Sequence, residues 1–588
     1  MILSPIHPFF GVITSILILC GMIHFGQKLL TRLGHQTSVV AALGLGMVLI
    51  SQSLYLLTLN KITINIIYPA AMCLIFMGTR YMYVNRSFLF SIKNAWGNQS
   101  KDLVHNPYYL LSVTLMISYV LISFSPPTNA DGLHYHLGIP IYLMRSQEWP
   151  PLNLWLHGSY GGIGEVFNTL GLVIYAINLG AIIQSISLVA FCYFFTNRFD
   201  GNKRCFIHLY ILSSPILLFL TTTQKYQLFP QVITALALYF TVSEKKIDKR
   251  RFFLICCLLM GAVQLKMSFI LTGGVIGLWA FWKAFRDTKL VFVIGLICFV
   301  FFFMPRGIWN LGQAPNIELK SFFTPLPTEF LNSSLNYRDN KFWFPFNLFI
   351  PESLGKITTI VGFQFLLLFL VRTKNKKFWE TIAITLTGML AVYLFGMSIG
   401  RFFYEFILWT AVAFSFLPEK EFKFRRYNRL LFIQGFGIFL GVSYGIISLF
   451  PGFFSVAWYE EVMHRTAWEF SAAKWANQSL PENAVVISGL TSVALLSHEF
   501  IPTDWLAYKD MKKKYFQEIG LKKPNFIIVK NNSLRSIDLD FGECVGEKYS
   551  GPEYFKDATR NPFNSGKEYS VTIYRFYSNL LPTCKKNK

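Results

Sequence analysis

Apolar runs of about 17–22 residues, the length an α-helix needs to cross a bilayer, recur along the first three quarters of the chain. They lie near 8–26, 38–59, 62–80 and 107–124, then near 180–197, 204–222, 226–243, 252–265, 267–285, 289–304, 355–372, 378–397, 402–418 and 429–450. The pattern predicts a mainly α, polytopic transmembrane helical bundle of about fourteen spans. After 452 the period changes. "RTAWEFSAAKWANQSLP" (465–481) and "DMKKKYFQEIG" (510–520) carry helical spacing, whereas "AVVISGL" (484–490), "NFIIVKN" (525–531) and "EYSVTIYRFY" (568–577) read as strands. A small C-terminal α/β domain is expected there, without a Gly-rich phosphate loop or metal-ligand spacing, in a supporting or substrate-docking role.

The polar links set the orientation. "QKLLTRLGH" (27–35), "RYMYVNRSFLFSIKNAWGNQSK" (80–101), "NRFDGNKR" (197–204), "SEKKIDKRR" (243–251), "KAFRDTK" (283–289), "VRTKNKK" (371–377) and "PEKEFKFRRYNR" (418–429) are all basic. Alternating spans place every one of them on one side, which the positive-inside rule makes the cytoplasm. Both termini, the C-terminal domain and two long loops, 125–179 and 305–354, then lie outside. Counting "GGIGEVFNTLGLVIYAI" (161–177) as a span would invert everything after it. It is therefore read as an interfacial or re-entrant helix on the outer face, with Glu165 near the headgroups.

Composition agrees with this. Of 588 residues, 53% are hydrophobic and 14% charged, and the mean hydropathy is +0.42. The formal charge of +23 sits in the links, so no nucleic-acid partner is inferred from it. Seven of nine cysteines fall in apolar segments; Cys544 and Cys584 lie in the polar C-terminal region, where spacing leaves their pairing open. The first residues lack a basic stretch and a small-residue cleavage site, so Pro8–Phe25 is read as a retained span.

Candidate chemistry gathers on the predicted outer face. Asp131, in "SPPTNADGLHYHLGIPIYL" (125–143), stands just beyond a span. Desolvation there would raise its pKa or invite a cation, which suits a general base or a metal ligand. The plainer alternative is an Asx-turn built with Asn129 and Gly132. His134 and His136 would share a face on a strand and diverge on a helix; the apolar spacing after them favours a helix, broken once at Pro140. No third ligand is adjacent in sequence, so no metal site is assigned, and the two imidazoles are read as hydrogen-bonding or substrate-contacting groups. Glu165 is either a second carboxylate of the site or a favourable first-turn charge. Lys225, Lys266, Arg306 and Arg401 break the charge asymmetry by lying outside. They either snorkel to headgroups or meet a substrate phosphate.

These elements in this order resemble the GT-C superfamily of integral membrane glycosyltransferases, which includes protein mannosyltransferases and aminoarabinose transferases. The matching stretches are the acid followed by "YHLGIPIYLMRSQEW", the Gly-rich approach to Glu165, "SSPILLFLTTTQKYQLFPQVITALALYF", "RGIWNLGQAPN", "GRFFYEFILW" and "AAKWANQSLPENAVVIS". The resemblance spans roughly 107–588. It divides the chain into a three-span N-terminal extension (1–106), a GT-C-like core (107–450) and an extracytoplasmic α/β domain (451–588). It implies transfer of a sugar from a polyprenyl-phosphate donor to an envelope glycan, lipid or protein, at the outer face of the cytoplasmic membrane. Asp131 is then the catalytic acid/base with His134, His136 and Glu165 beside it. Lys225, Lys266, Arg306 and Arg401 bind the donor phosphate, and Tyr135, Gln224 and Gln227 contact substrate. Two departures weigh against a divalent-metal cofactor: Asp131 is followed by Gly132 rather than a second acid, and Gln224 and Gln227 stand where many members carry an Asp. The alternatives are a transporter or flippase of lipid-linked saccharides, for which no internal repeat is found, and a polysaccharide polymerase or ligase centred on Arg306 and Arg338.

Overall fold

The computed structural model describes residues 7–35, 38–59, 64–85, 106–196, 198–199, 201–285, 289–313, 326, 342–397, 399–419, 421, 423–531, 541–563 and 566–581. Five helices among them are long and apolar enough to cross a membrane: Pro8–Arg32, Val39–Thr58, Met267–Phe285 (with its 3₁₀ first turn), Leu290–Gln313 and Phe424–Phe453. Shorter apolar helices run over Pro107–Ser123, Leu179–Phe195 and Leu228–Ser243. Helices at Ile64–Val84, Gly201–Leu212, Lys249–Leu265, Lys376–Leu394 and Gly400–Ser415 complete the bundle.

Four of the helices that leave the basic links begin on a polar cap. Ser38 Oγ accepts from Ala41 N, Asn106 Oδ1 from Tyr108 N, Asp248 Oδ1 from Arg251 N and Asn375 Oδ1 from Lys377 N, at 2.8–3.2 Å. Each cap satisfies amides that a helix start leaves unpaired, next to hydrocarbon where an orphan is costly. The first three helices pack through small residues. A Cβ on Gly26 would collide with the Ala42 carbonyl, and one on Gly78 with that of Leu17, so both glycines permit a backbone approach that larger residues forbid.

Five basic links meet at one end of the bundle. Lys203 Nζ donates to the carbonyls of Ser415 (2.9 Å) and Leu417 (2.7 Å). Lys283 Nζ donates to Thr241 O and pairs with Glu380 at 2.6 Å. Lys377 Nζ donates to Ser243 O, and Asn375 Nδ2 to Phe416 O. Lysines on the last carbonyls of helices complement the helix dipole while sealing that end.

The run 355–372 does not form the expected α-helical span. It connects the two ends as 3₁₀ helices, Leu354–Thr359 and Phe363–Leu370, joined by extended chain. The β-branched Ile357–Val361 stretch and Gly362 at φ 107° interrupt helical propagation. Gln434 repairs the broken ladder: its Oε1 accepts from Phe363 N (3.1 Å), and its Nε2 donates to Ser213 O (2.7 Å) and Gln364 Oε1 (2.8 Å). Irregular backbone at this depth survives only with such partners.

The stretch 161–177 also differs from expectation. It is a ten-residue helix, Ile163–Leu172, with every residue buried, followed by a turn. Glu165 therefore lies inside the protein and not among headgroups.

The C-terminal unit carries a five-stranded sheet of order β2-β1-β3-β5-β4, with β1 Val485–Ser488, β2 Glu499–Pro502, β3 Phe526–Lys530, β4 Val545–Lys556 and β5 Glu568–Phe576. β1 pairs in parallel with β2 and β3, whereas β5 pairs antiparallel with β3 and β4. β1, β3 and β5 match the sequence expectation; β2 and β4 add to it. β2 is only four residues long, and β4 is a half-exposed, repeatedly bulged edge strand, so neither shows a clean alternation. The expected helix 465–481 is two helices, Val456–Thr466 and Phe470–Ser479, separated where Glu469 adopts φ 57°. The sheet unit sits on the segment 125–179: Arg145 donates to Leu496 O and His498 O, and Trp505 Nε1 to Leu152 O at 2.6 Å. Cys544 is disulfide-bonded, the seven cysteines of the apolar segments are free, and Cys584 and Arg338 lie outside the described residues.

Candidate functional site

Helix Pro107–Ser123 ends in the proline-containing turn 125–129, where Asn129 Oδ1 accepts from Gly132 N at 3.0 Å. The Asx interaction is therefore present, made by Asn129 and leaving the Asp131 carboxylate to other work. Gly132–His136 follows as a single π turn leading into helix Leu137–Ser146. Pro140 has no amide to offer the His136 carbonyl, and that carbonyl instead accepts from Asn168 Nδ2 at 2.9 Å. The extra residue of a π turn re-aims the side chains around it. His134 and His136 accordingly point to different partners.

Asp131 Oδ2 meets Lys225 Nζ at 2.5 Å; the lysine side chain is 4% exposed and the aspartate 42%. The Lys225 charge, opposed by burial and then aided by its hydrogen bond, by Arg401 and by His136, holds the carboxyl far below the usual range. Desolvation thus invited a cation instead of raising the pKa. Lys225 lies in the turn before helix Leu228–Ser243, and Gln184 fixes that turn. Its Nε2 donates to Thr223 O, and its Oε1 accepts from the amides of Gln227 and Leu228.

Two more cations converge here. Lys266 Nζ donates to Gln227 Oε1, while Gln227 and Gln231 both donate to the Arg401 carbonyl. Burial first, and then the charges of Lys225 and Arg401, press the Lys266 ammonium well below its ordinary range. Such a group gains from any anion that arrives. Arg306 borders the adjoining wall, where a Cβ on Gly162 would lie 2.8 Å from its guanidinium. Among the described residues, the Gln224 amide, His136 Nε2 and Arg401 Nε are buried without a protein partner, which is where a polar ligand is expected to bind.

His136 Nδ1 lies 2.8 Å from Glu165 Oε1, and Glu165 Oε2 accepts from Gly162 N at 2.9 Å. Burial lowers the His136 pKa despite the carboxylate. Tyr135 lies between two neighbours, stacked on His157 at 5.2 Å and facing Lys225 5.9 Å from its ring centre. His134 turns the other way, toward Asp504 of the C-terminal unit at 3.4 Å, and His157 meets the same oxygen at 2.6 Å.

Residues 81–463 match the family model of the DUF1420 N-terminal domain, and residues 465–587 that of the DUF1420 C-terminal domain. The chain belongs to the DUF1420 family. No curated protein matches it. A crystal structure of ArnT from Cupriavidus metallidurans bound to undecaprenyl phosphate is similar at 11% identity and TM-score 0.46, over 81% of this chain and 98% of that one.

The DUF1420 chain thus brings Asp131, Lys225, Lys266, Arg401, Tyr135, Gln224 and Gln227 together, with His136, Glu165 and Arg306 on the adjoining wall. His134 belongs to a separate group with His157 and Asp504. Neither His157 nor Asp504 stands out in the sequence, because they are 347 residues apart and no local spacing links them. Arg560 likewise carries no motif that marks it in the sequence. It reaches from the sheet unit to Thr222 Oγ1 at 2.6 Å, three residues before Lys225.

Glu165 makes a cap and a positioning contact at once, which separates its two readings. Glu165→Gln keeps a side-chain oxygen for Gly162 N but removes the charge that favours a protonated His136. Its thermal stability is expected within about 1 kcal/mol of the parent, with the His136 titration moved to lower pH in NMR spectra. Glu165→Ala loses both bonds and is expected to cost about 1–3 kcal/mol.

Proposed function

We propose that this multi-pass membrane protein is a glycosyltransferase that moves a sugar from a polyprenyl-phosphate donor to an acceptor outside the cytoplasm. The observation that carries this reading is the half-exposed Asp131 carboxylate set among Lys225, Lys266 and Arg401 at one end of an apolar bundle. A lipid-linked phosphate needs that combination: cations for the phosphate, helices for the isoprenoid, and an acid for the acceptor. The GT-C resemblance of the sequence supports the same assignment.

In the proposed reaction an acceptor hydroxyl or amine attacks the anomeric carbon. The bond from that carbon to the phosphate oxygen breaks, and polyprenyl phosphate leaves with the electron pair. Asp131 takes the acceptor proton. Its depressed pKa makes it a weak base while Lys225 is bound to it; a donor phosphate that draws Lys225 away raises its basicity when substrate is in place. Lys225, Lys266 and Arg401 stabilise the charge gathering on the departing phosphate, and Gln224 and Tyr135 contact the sugar or acceptor.

The sidedness rests on two supports. Five of the basic links gather at the end opposite Asp131, as the positive-inside rule requires for an extracytoplasmic site. The disulfide at Cys544 suits an oxidising compartment. A polyprenyl-phosphate ligand, such as the one bound in the ArnT structure, is accordingly proposed for this chain. The test is transfer itself. Purified chain in nanodiscs, given labelled polyprenyl-phosphate sugars and an envelope acceptor fraction, is expected to release polyprenyl phosphate and label the acceptor together. Absence of both products with every hexose and pentose donor overturns the proposal.

A further inference from the structure

The first outer loop and the C-terminal unit meet at three potential ligands. His134 Nε2 and His157 Nδ1 approach Asp504 Oδ2 at 3.4 and 2.6 Å, and the donor atoms of all three lie within 4.8 Å of one another. We propose that His134, His157 and Asp504 form a binding site for a divalent transition metal of the zinc class, which clamps the outer loop to the C-terminal unit.

The donor set and its spacing carry the argument. Tetrahedral zinc holds nitrogen and oxygen ligands at about 2.0–2.2 Å, which sets neighbouring donors about 3.3 Å apart. His134 and Asp504 already stand at that separation. His157 and Asp504 need to open by less than about 1 Å, exchanging their hydrogen bond for two bonds to metal. Two imidazoles with one carboxylate favour zinc and its neighbours over magnesium or calcium. Three protein ligands leave a fourth position for water or a substrate oxygen.

The rings are also held in place before any ion binds. His134 packs against Trp155 at 5.8 Å and against His157 at 4.6 Å, and His157 is fixed by stacking on Tyr135 and by the edge of Tyr160. Trp505, next to Asp504, donates to Leu152 O. Three separate segments thus supply preoriented donors, which lowers the cost of assembling the site. Asp131 is not among them, since Lys225 already occupies its carboxylate.

This inference does not rest on the transfer reaction, because metal binding is read without turnover. The purified full-length chain, stripped with chelator and dialysed, is titrated with zinc chloride against a chromophoric chelator. About one equivalent is expected to bind with Kd below about 1 µM, and cobalt loading should give the visible bands of a four-coordinate site. His157→Ala and Asp504→Asn should each weaken binding at least tenfold, whereas Asp131→Asn retains it. A wild-type chain that binds no zinc overturns the proposal and leaves a hydrogen-bonded His–Asp–His contact. Zinc that Asp131→Asn abolishes and His157→Ala preserves overturns it as well, and assigns the ion to the Asp131 cavity. Where one of these variants fails to fold, the other must still show the loss, and the wild-type titration still overturns the proposal when no zinc binds.

Discussion

Asp131→Asn is expected to lower sugar transfer by about 10²–10⁴-fold, the range for loss of a positioned acid/base. The substitution preserves size and removes the charge, so the fold should persist while chemistry fails. It also leaves Lys225 buried without its counter-ion. Stability must therefore be measured beside turnover. Lys225→Met alone and together with Asp131→Asn closes a double-mutant cycle, and a strong coupling in stability is expected from a contact of 2.5 Å. The pH dependence has a definite sign. The folded carboxyl lies below its unfolded value of about 3.9, so the pair's contribution is present above that pH and is lost as pH falls through the folded value. The gap in Tm between wild type and Asp131→Asn should be flat from about pH 6 to 8 and shrink below about pH 4. Turnover unchanged by Asp131→Asn would remove this residue from the mechanism and shift attention to the cations alone.

Much of the bundle is legible in the sequence because lipid leaves a one-dimensional signal: runs of fixed length with lysine and arginine between them. Five of the basic links meet at one end because they share both solvent and charge preference, and hydropathy reads both. Segment 355–372 defeats that signal. Its composition is as apolar as a helix, and what breaks it is local, the β-branched run and Gly362, rescued by Gln434 from another helix. Helix Ile163–Leu172 fails differently, since hydropathy cannot separate burial in protein from contact with lipid.

The site divides along the same line. Asp131 and the cations are visible as charged residues at span ends, where hydrocarbon makes charge conspicuous. The pairing of Asp131 with Lys225 is not visible, because nothing in either segment specifies the other. His157 and Asp504 are hidden for the same reason, each being a single polar residue beside apolar neighbours with no local partner. His134 and His136 show the value of register: spacing alone allowed a shared face, and the π turn before Pro140 sends one to Asp504 and the other to Glu165.

Lys530→Met is expected to destabilise the C-terminal unit by about 3–5 kcal/mol, the usual cost of removing one member of a buried ion pair. Glu469 is fully enclosed; its Oε1 takes the Lys530 ammonium at 2.7 Å, and its Oε2 accepts from Ser492 N at 2.9 Å. Asp557 approaches the same ammonium at 3.6 Å, and the Tyr569 ring lies 4.1 Å from it. Removing the lysine leaves two carboxylates facing one another in a region that cannot hydrate them well. Glu469→Gln in the same chain relieves that repulsion, so the double variant should recover part of the loss. The effect should also reach the segment that carries Asp131. Trp468, beside Glu469, donates its amide to Thr128 O, and a Cβ on Gly138 would touch Val493 next to Ser492. Loosening 468–493 therefore loosens the surface on which the Asp131 turn rests. Thermal melts of the detergent-solubilised chain measure the first effect, and amide exchange over 128–138 measures the second. A change below about 1 kcal/mol would mean that water reaches the pair and relieves it.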